Sequence, residues 1–194
     1  ADILAFCRAL RMHCTDRGWR HPAGAALREE AEGMRGIWAG RYGRDGELRR
    51  GEPASPVHPL KVIDAMRAVM RPDDVLVCDS GLNQVFGAKF FEVQAAGRSY
   101  MGPRGMGTMG FGFPAALGAK AARPQQRFVA LCGDGGFAMV LQEQETSRRA
   151  NLPVTVVVLN NSNLEYIRHG QKMRGLGGIS TDYTDTRFAE IAQA

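Results

Sequence analysis

Two short turns in this 194-residue chain carry the residue types needed for cation chemistry. One is Gly133-Asp134-Gly135-Gly136 and the other Asn160-Asn161-Ser162-Asn163; each follows an apolar run, and Asp134 and Asn161 are 27 positions apart. A carboxylate and a carboxamide oxygen are hard donors that suit Mg²⁺, which takes oxygen ligands at ~2.1 Å and commonly fills its remaining positions with phosphate oxygens and water. The glycines agree with such a ligand. Gly133, Gly135 and Gly136 let the backbone turn sharply and approach an anion without a Cβ in the way, and a helix starting near Phe137 would offer N–H groups and its positive dipole end to a phosphate. Either turn alone is ordinary loop sequence. Together, at this spacing, they point to a divalent cation holding a diphosphate.

For the two turns to meet, the chain between them must bring them to one edge. Residues 128–163 read as strand, Gly-rich turn, helix 137–149, short turn, strand Val154 to Leu159 and polar turn, which is one βαβ unit. Such a crossover leaves both strands pointing the same way, and neighbouring strands lie ~4.8 Å apart, so Asp134 and Asn161 can close on a single ion. The rest of the second half repeats the alternation, with helix 59–70, strand 75–79, helix 83–91 and helix 110–122 before it and helix 163–173 after. This predicts an α/β fold, a doubly wound parallel sheet with helices on both faces. Val154-Thr155-Val156-Val157-Val158-Leu159 is nearly continuous apolar, as expected of a strand covered on both sides. Residues 3–17 and 24–38 read as Arg-rich helices, followed by a Gly-, Pro- and charge-rich linker, which puts a domain boundary near residue 52.

Composition removes several classes of function. Twenty-five Lys and Arg against 20 Asp and Glu give a net charge of +5. That mild excess is spread along the chain rather than gathered on one element with interleaved aromatics, which argues against a nucleic-acid partner. The longest apolar runs are far too short to cross a bilayer, so no membrane partner is expected. Cys7, Cys14, Cys78 and Cys132 form no Cys-x-x-Cys pair, and Cys7, His13 and Cys14 lack a fourth zinc ligand. Free thiols within apolar runs fit a reducing cytoplasm. Residue 1 is not Met, and the helix beginning near Arg187 runs to Ala194 without a cap, so the sequence is expected to be a piece of a longer polypeptide.

Gly133-Asp134-Gly135 followed by Asn160-Asn161 resembles the thiamine-diphosphate-binding motif, and GMGTMGFGFPAALGAKAARP at 105–124 is similar to the stretch preceding it in acetolactate synthase and its relatives. GDGGFAM and LNNSNL are also similar to pyruvate oxidase, in the same superfamily. The resemblance covers residues 53–194, a thiamine diphosphate and Mg²⁺ binding domain, and 1–52 resembles the tail of the family's middle domain. It implies that Asp134, the Asn161 side chain and the backbone carbonyl of Asn163 hold Mg²⁺ with two diphosphate oxygens. Met109 would be the apolar wedge under the bent cofactor, its N–H on the pyrimidine and the Gly107 carbonyl accepting from the 4′-amino group. Phe111 and Phe113 read as core. Gly81-Leu82-Asn83-Gln84 stands where acetolactate synthases commonly have Gly-Gln-His-Gln, so Leu82 contributes no side-chain bond and contact with the diphosphate falls to Asn83 and backbone N–H groups. Glu165 stands where the family often has Gly; it reads as a solvated helix residue, the alternative being a carboxylate that touches substrate in an open pocket. Gly175, Gly177 and Gly178 suggest a mobile loop.

The resemblance further implies a 2-oxo acid substrate and a decarboxylating and carboligating reaction, acetolactate synthase-like, with pyruvate oxidase or another 2-oxo acid decarboxylase as the alternative. A non-catalytic interaction module is the third reading, and a purely structural role requires none of Asp134, Asn161 and Met109. The Glu that activates the cofactor is expected on a separate pyrimidine-binding domain, so no catalytic residue is assigned within these 194 positions and the chain alone is expected to be inactive. The full-length protein is expected to be a homo-oligomer, a dimer or tetramer, and FAD remains open for it.

Overall fold

The computed structural model describes residues 57–95 and 97–193, together with eight helical positions at 16, 25, 26, 29, 30, 32, 33 and 36. The chain divides into two units, Ala1–Glu52 and Pro53–Ala194. The eight helical positions fall within the expected helices 3–17 and 24–38; Cys7, His13, Cys14 and the linker lie outside the described residues.

In the second unit, alternation at period two builds a sheet with two buried faces. The strands are β1 Val75–Cys78, β2 Tyr100–Met101, β3 Phe128–Gly133 and β4 Thr155–Leu159, all parallel, in the order β2-β1-β3-β4. Val75, Val77, Phe128, Ala130 and Cys132 face one core with Phe113, Ala116, Leu117, Phe137 and Phe188. Their neighbours Leu76, Cys78, Val129 and Leu131 face the other with Ile63, Met66, Met70 and Phe91. Successive side chains on a strand point to opposite faces, so a strand buried along its whole length requires cover on both. The fold is therefore an α/β parallel sheet wound on both sides.

The helices supply that cover. α1 (Pro59–Val69) starts with Pro at its first position and with His58 Nδ1 accepting the Leu60 N–H at 3.2 Å, and it buries Leu60, Ile63 and Met66 at three-residue spacing. Full burial of each such side chain contributes roughly 1.5–3 kcal/mol. α2 (Leu82–Phe90) follows β1, and α3 (Gly112–Ala122) buries Phe113, Ala116 and Leu117 against the opposite face. α3 starts two residues later than expected because Gly110 has φ 77°, a left-handed turn that a helix does not accept.

Three expectations need correcting. Helix 137–149 is two helices, α4 (Asp134–Ala138) and α5 (Glu143–Arg149). Between them the backbone tightens into three-residue bonds, Val140 N–H to Phe137 at 3.0 Å and Glu143 N–H to Val140 at 3.0 Å. That winding brings residues three apart into line, so Val140 packs against the same core that Phe137 enters. β4 is not covered on both sides: Thr155 is exposed and Val156 to Leu159 are half-buried, since β4 is the last strand of the sheet among the described residues. β2, only two residues long, is an additional strand beside β1. After β4 come α6 (Glu165–Met173) and α7 (Phe188–Ile191).

Candidate functional site

Parallel strands deliver their carboxyl ends to one edge, and four segments meet there. Directly after β1 stands Asp79, a fully buried carboxylate. Its Oδ1 accepts from Ser80 N–H at 2.7 Å and Phe111 N–H at 3.1 Å, and its Oδ2 from Gly110 N–H at 3.1 Å. Asp79 thus fastens the Gly-rich loop 105–111 to the end of β1. Burial pushes its carboxyl above the ordinary value of 3.8, and the N–H bonds from Ser80, Phe111, Gly110 and Gly112 oppose that rise. By its resemblance the sequence places Asp79 only at the start of the phosphate-contacting turn Asp79-Ser80-Gly81-Leu82-Asn83-Gln84; its bonds to the loop carry no signal there beyond a carboxylate following an apolar strand.

Beyond Asp79 the chain turns at Gly81, whose φ of 126° is a glycine conformation, and enters α2 at Leu82 with no side chain capping the helix start. Gln84 and Val85 N–H already reach the Gly81 carbonyl at 3.2 and 3.3 Å, which leaves the Leu82 and Asn83 N–H groups for water or a ligand. Leu82 is half-buried. The Asn83 amide turns inward: Nδ2 donates to the carbonyls of Asp79 at 2.7 Å and Leu131 at 3.0 Å, tying the ends of β1 and β3. Both its donors are spent, and Oδ1 is an acceptor that repels phosphate oxygen. This differs from the diphosphate contact expected of the Asn83 side chain, and it leaves the backbone of this turn as the available donor.

Gly133 closes β3 in register with Leu159 of β4, so the two turns of the motif are adjacent. Asp134 is 3% exposed. Its Oδ2 accepts Asn161 N–H at 3.0 Å and Ser162 N–H at 2.6 Å, while Oδ1 accepts Gly135 N–H at 2.7 Å and the Tyr183 hydroxyl at 2.9 Å. Ser162 takes φ 55° to aim its N–H at Asp134. A left-handed residue costs about 1–2 kcal/mol, and bonds to a charged group contribute about 1.5–3 kcal/mol each, so the bonds outweigh the turn. Burial, and after it the bond and charge of Asp134, push the Tyr183 hydroxyl upward, which keeps it protonated as the donor.

The Asn161 side chain is exposed beside this carboxylate. Asn163 donates Nδ2 to the Asn161 carbonyl at 3.0 Å, while its Oδ1 is buried with no hydrogen-bond partner. A buried amide oxygen lacking a donor suits a cation, and the donors gathered here, carboxylate and amide oxygen, are those of a hard ion such as Mg²⁺. Among the described residues no group of three or more His, Cys, Asp or Glu is placed to hold a metal ion.

The Gly-rich loop completes the edge. Met109 Cε is 3.4 Å from where a Cβ on Gly135 would stand, so the wedge candidate and the Gly-Asp-Gly turn are neighbours. A Cβ on Gly136 would fall 2.5 Å from Asp79 Oδ2, and one on Gly110 2.9 Å from Val140 Cγ1, so the loop, β1 and α4 touch where only glycine fits. Gly107 is exposed with φ 65°, on the Ser80 side of the loop. α4 is five residues long and its Gly135 N–H is taken by Asp134, so it is not the extended N-terminal anion site expected near Phe137. Glu165 is half-buried at the first turn of α6. Phe111 is half-buried against the core and Phe113 is within it. A cavity of about 440 Å³ lies to one side, lined by Phe137, Val158, Asn160 and Phe188, and does not include Asp134.

Comparison with known proteins shows the family. Residues 79–194 match the model of the thiamine pyrophosphate enzyme C-terminal TPP binding domain. A Bacillus subtilis protein, YdaP, named for thiamine pyrophosphate, is 34% identical over 143 residues, 74% of this chain and 25% of its own length. The acetolactate synthase isozyme 3 large subunit of Escherichia coli is 36% identical over 140 residues, 71% of this chain and 24% of its own length. An acetolactate synthase of Mycobacterium bovis is 39% identical over 115 residues, 59% of this chain and 18% of its own length. The chain therefore spans about a quarter or less of the length of these curated relatives. With the matched domain covering more than half of the chain, the protein belongs to the thiamine pyrophosphate enzymes, through their C-terminal cofactor-binding domain.

Proposed function

We propose that residues 53–194 form the half-site that holds Mg²⁺ and the diphosphate of thiamine diphosphate in an acetolactate synthase-like enzyme acting on 2-oxo acids, and that 1–52 is the tail of a preceding domain. The observation that carries the reading is the direct bonding of Asp134 to the backbone of Asn161 and Ser162. That bonding ties a buried carboxylate to the turn that carries the exposed Asn161 and the Asn163 Oδ1 that has no hydrogen-bond partner, which supports the reading. Asp134, Asn161 and Asn163 would hold the cation, the last through its carbonyl or its free amide oxygen. Gly133, Gly135 and Gly136 would leave room for the diphosphate, the Gly135 N–H staying on Asp134, and the turn Gly81-Leu82-Asn83 would offer it backbone N–H groups, while Gly107 and Met109 would orient the pyrimidine. When bound, thiamine diphosphate supplies the nucleophilic carbon that decarboxylates a 2-oxo acid. The acid that activates the ring is expected on another domain, so binding rather than turnover is assigned to these residues.

An oxidase or decarboxylase of the same family, with or without FAD, would use the same half-site, as would a dimer or tetramer of the full-length protein. Cys78 and Cys132 are free and buried, which suits a cytoplasmic setting. No helix among the described residues is long and apolar enough to cross a membrane. Titration calorimetry of the chain with thiamine diphosphate and Mg²⁺ tests the reading. Heat that requires both ligands and disappears in Asp134→Ala is expected; equal heat from wild type and variant rules the site out.

A further inference from the structure

The Asp134 carboxylate is full. Its two oxygens offer about four acceptor positions, and four donors occupy them: Gly135, Asn161 and Ser162 N–H and the Tyr183 hydroxyl. A cation that takes Asp134 as ligand needs one of those positions. Three of the donors are backbone groups fixed by α4 and by the turn after β4, and shifting any of them means rebuilding a strand end. The fourth is a side chain.

Tyr183 can leave without disturbing the fold. Its backbone is held by the pairing of residues 181–183 with 162–164, Leu164 N–H to Thr181 at 2.8 Å and Tyr183 N–H to Ser162 at 3.0 Å. Tyr183 is 38% exposed, so its ring can rotate toward solvent while residues 181–183 stay paired. Its place is also informative: a Cβ on Gly135 would come 2.5 Å from the Tyr183 hydroxyl, so the phenol lies directly over the Gly-Asp-Gly turn.

We propose that Tyr183 is the affinity-setting residue of the cation site: its hydroxyl fills the ligand position on Asp134 Oδ1 when no cation is bound and yields that position to a divalent cation. This rests on the cation site proposed above. A hydroxyl that instead steadied Asp134 as a ligand would raise affinity, so the two roles predict opposite signs for the same substitution.

The test uses the 194-residue chain with saturating thiamine diphosphate and Mn²⁺ as probe, free Mn²⁺ being read by electron paramagnetic resonance. Tyr183→Phe, which keeps the ring and removes the donor, is expected to bind Mn²⁺ about tenfold more tightly, equivalent to about 1.4 kcal/mol. A wild-type chain that binds while Tyr183→Phe binds no more tightly overturns the inference and leaves the site standing. A wild-type chain that binds no Mn²⁺ overturns both. As a second measurement independent of the variant's folding, wild type labelled with 3-fluorotyrosine should show one ¹⁹F resonance moving when Mg²⁺ is added with the cofactor; resonances that all stay in place overturn the inference.

Discussion

Replacing Gly136 by alanine tests whether α4 is pressed onto the Asp79 carboxylate. The new Cβ would stand 2.5 Å from Asp79 Oδ2 and 3.1 Å from its Cγ. Asp79 cannot swing aside, because it is fully buried and held by N–H groups of Ser80, Gly110 and Phe111. Overpacking costs about 1–3 kcal/mol, loosening one bond to a charged group adds about 1.5–3, and the better helix propensity of alanine returns about 0.5–1. The expected loss is about 2–5 kcal/mol, a large part of a typical total of about 5–15 kcal/mol. Gly118 supplies the control. It sits in α3, exposed, with nothing within 4 Å of an added Cβ. There the same substitution should stabilise by about 0.5–1 kcal/mol. Urea unfolding followed by far-UV circular dichroism gives both values from shifts of the midpoint at constant slope. A Gly136→Ala chain unfolding at the wild-type midpoint would refute the close approach, and with it the account of why glycine is required at this corner.

Two further outcomes follow from buried ionisable groups. The Asp79 carboxyl is raised above 3.8 in the folded chain, so the folded state binds its proton more tightly than the unfolded one; its contribution to stability is complete below 3.8 and is lost as pH rises through the raised value. The stability advantage of wild type over Asp79→Asn should therefore shrink with rising pH across that window, and a gap that stays level from acid to neutral pH would contradict the shift. Burial also pushes the Cys78 thiol up to about 12 and raises that of Cys132, both fully buried. Iodoacetamide at pH 8 should leave peptides carrying Cys78 and Cys132 unlabelled in the native chain and label them in urea, as read by peptide mass mapping; native labelling of either would show that the sheet opens.

The parallel sheet was legible because apolar runs alternating with helical segments admit few other architectures, and β1, β3 and their helices lie where the pattern puts them within two residues. What escaped was whatever the pattern is too short or too smooth to mark. Tyr100 and Met101 form β2 through their pairing with Leu76 and Val77, and two residues carry no alternation to detect. The run from Phe137 to Arg149 reads as one helix because helical propensity does not distinguish four-residue bonds from three-residue ones. Packing decides, since Val140 must turn toward the core that holds Phe137. The polar stretch around Tyr183 gives no sign that its hydroxyl reaches a carboxylate 49 positions earlier.

Asp79 and Asp134 show where sequence stops being informative about a site. Each is a lone aspartate ending an apolar strand, and β1 and β3 are paired neighbours, so by residue type and element either could be the cation ligand. Their surroundings separate them. Loop 105–111 comes down on Asp79 with backbone N–H groups that cannot be withdrawn without unmaking the loop, and Gly136 closes over its Oδ2. Asp134 is met by a turn from the far strand and by one rotatable hydroxyl. A carboxylate whose acceptors are all held by backbone is a fastening, whereas one with a displaceable donor can be offered to an ion, as we propose for Asp134. Asn83 follows the same logic in reverse: an amide expected to reach outward is occupied in joining two strand ends, because both of its N–H bonds find buried carbonyls there. Which polar side chains remain free for a ligand is settled by the hydrogen bonds the fold has already claimed.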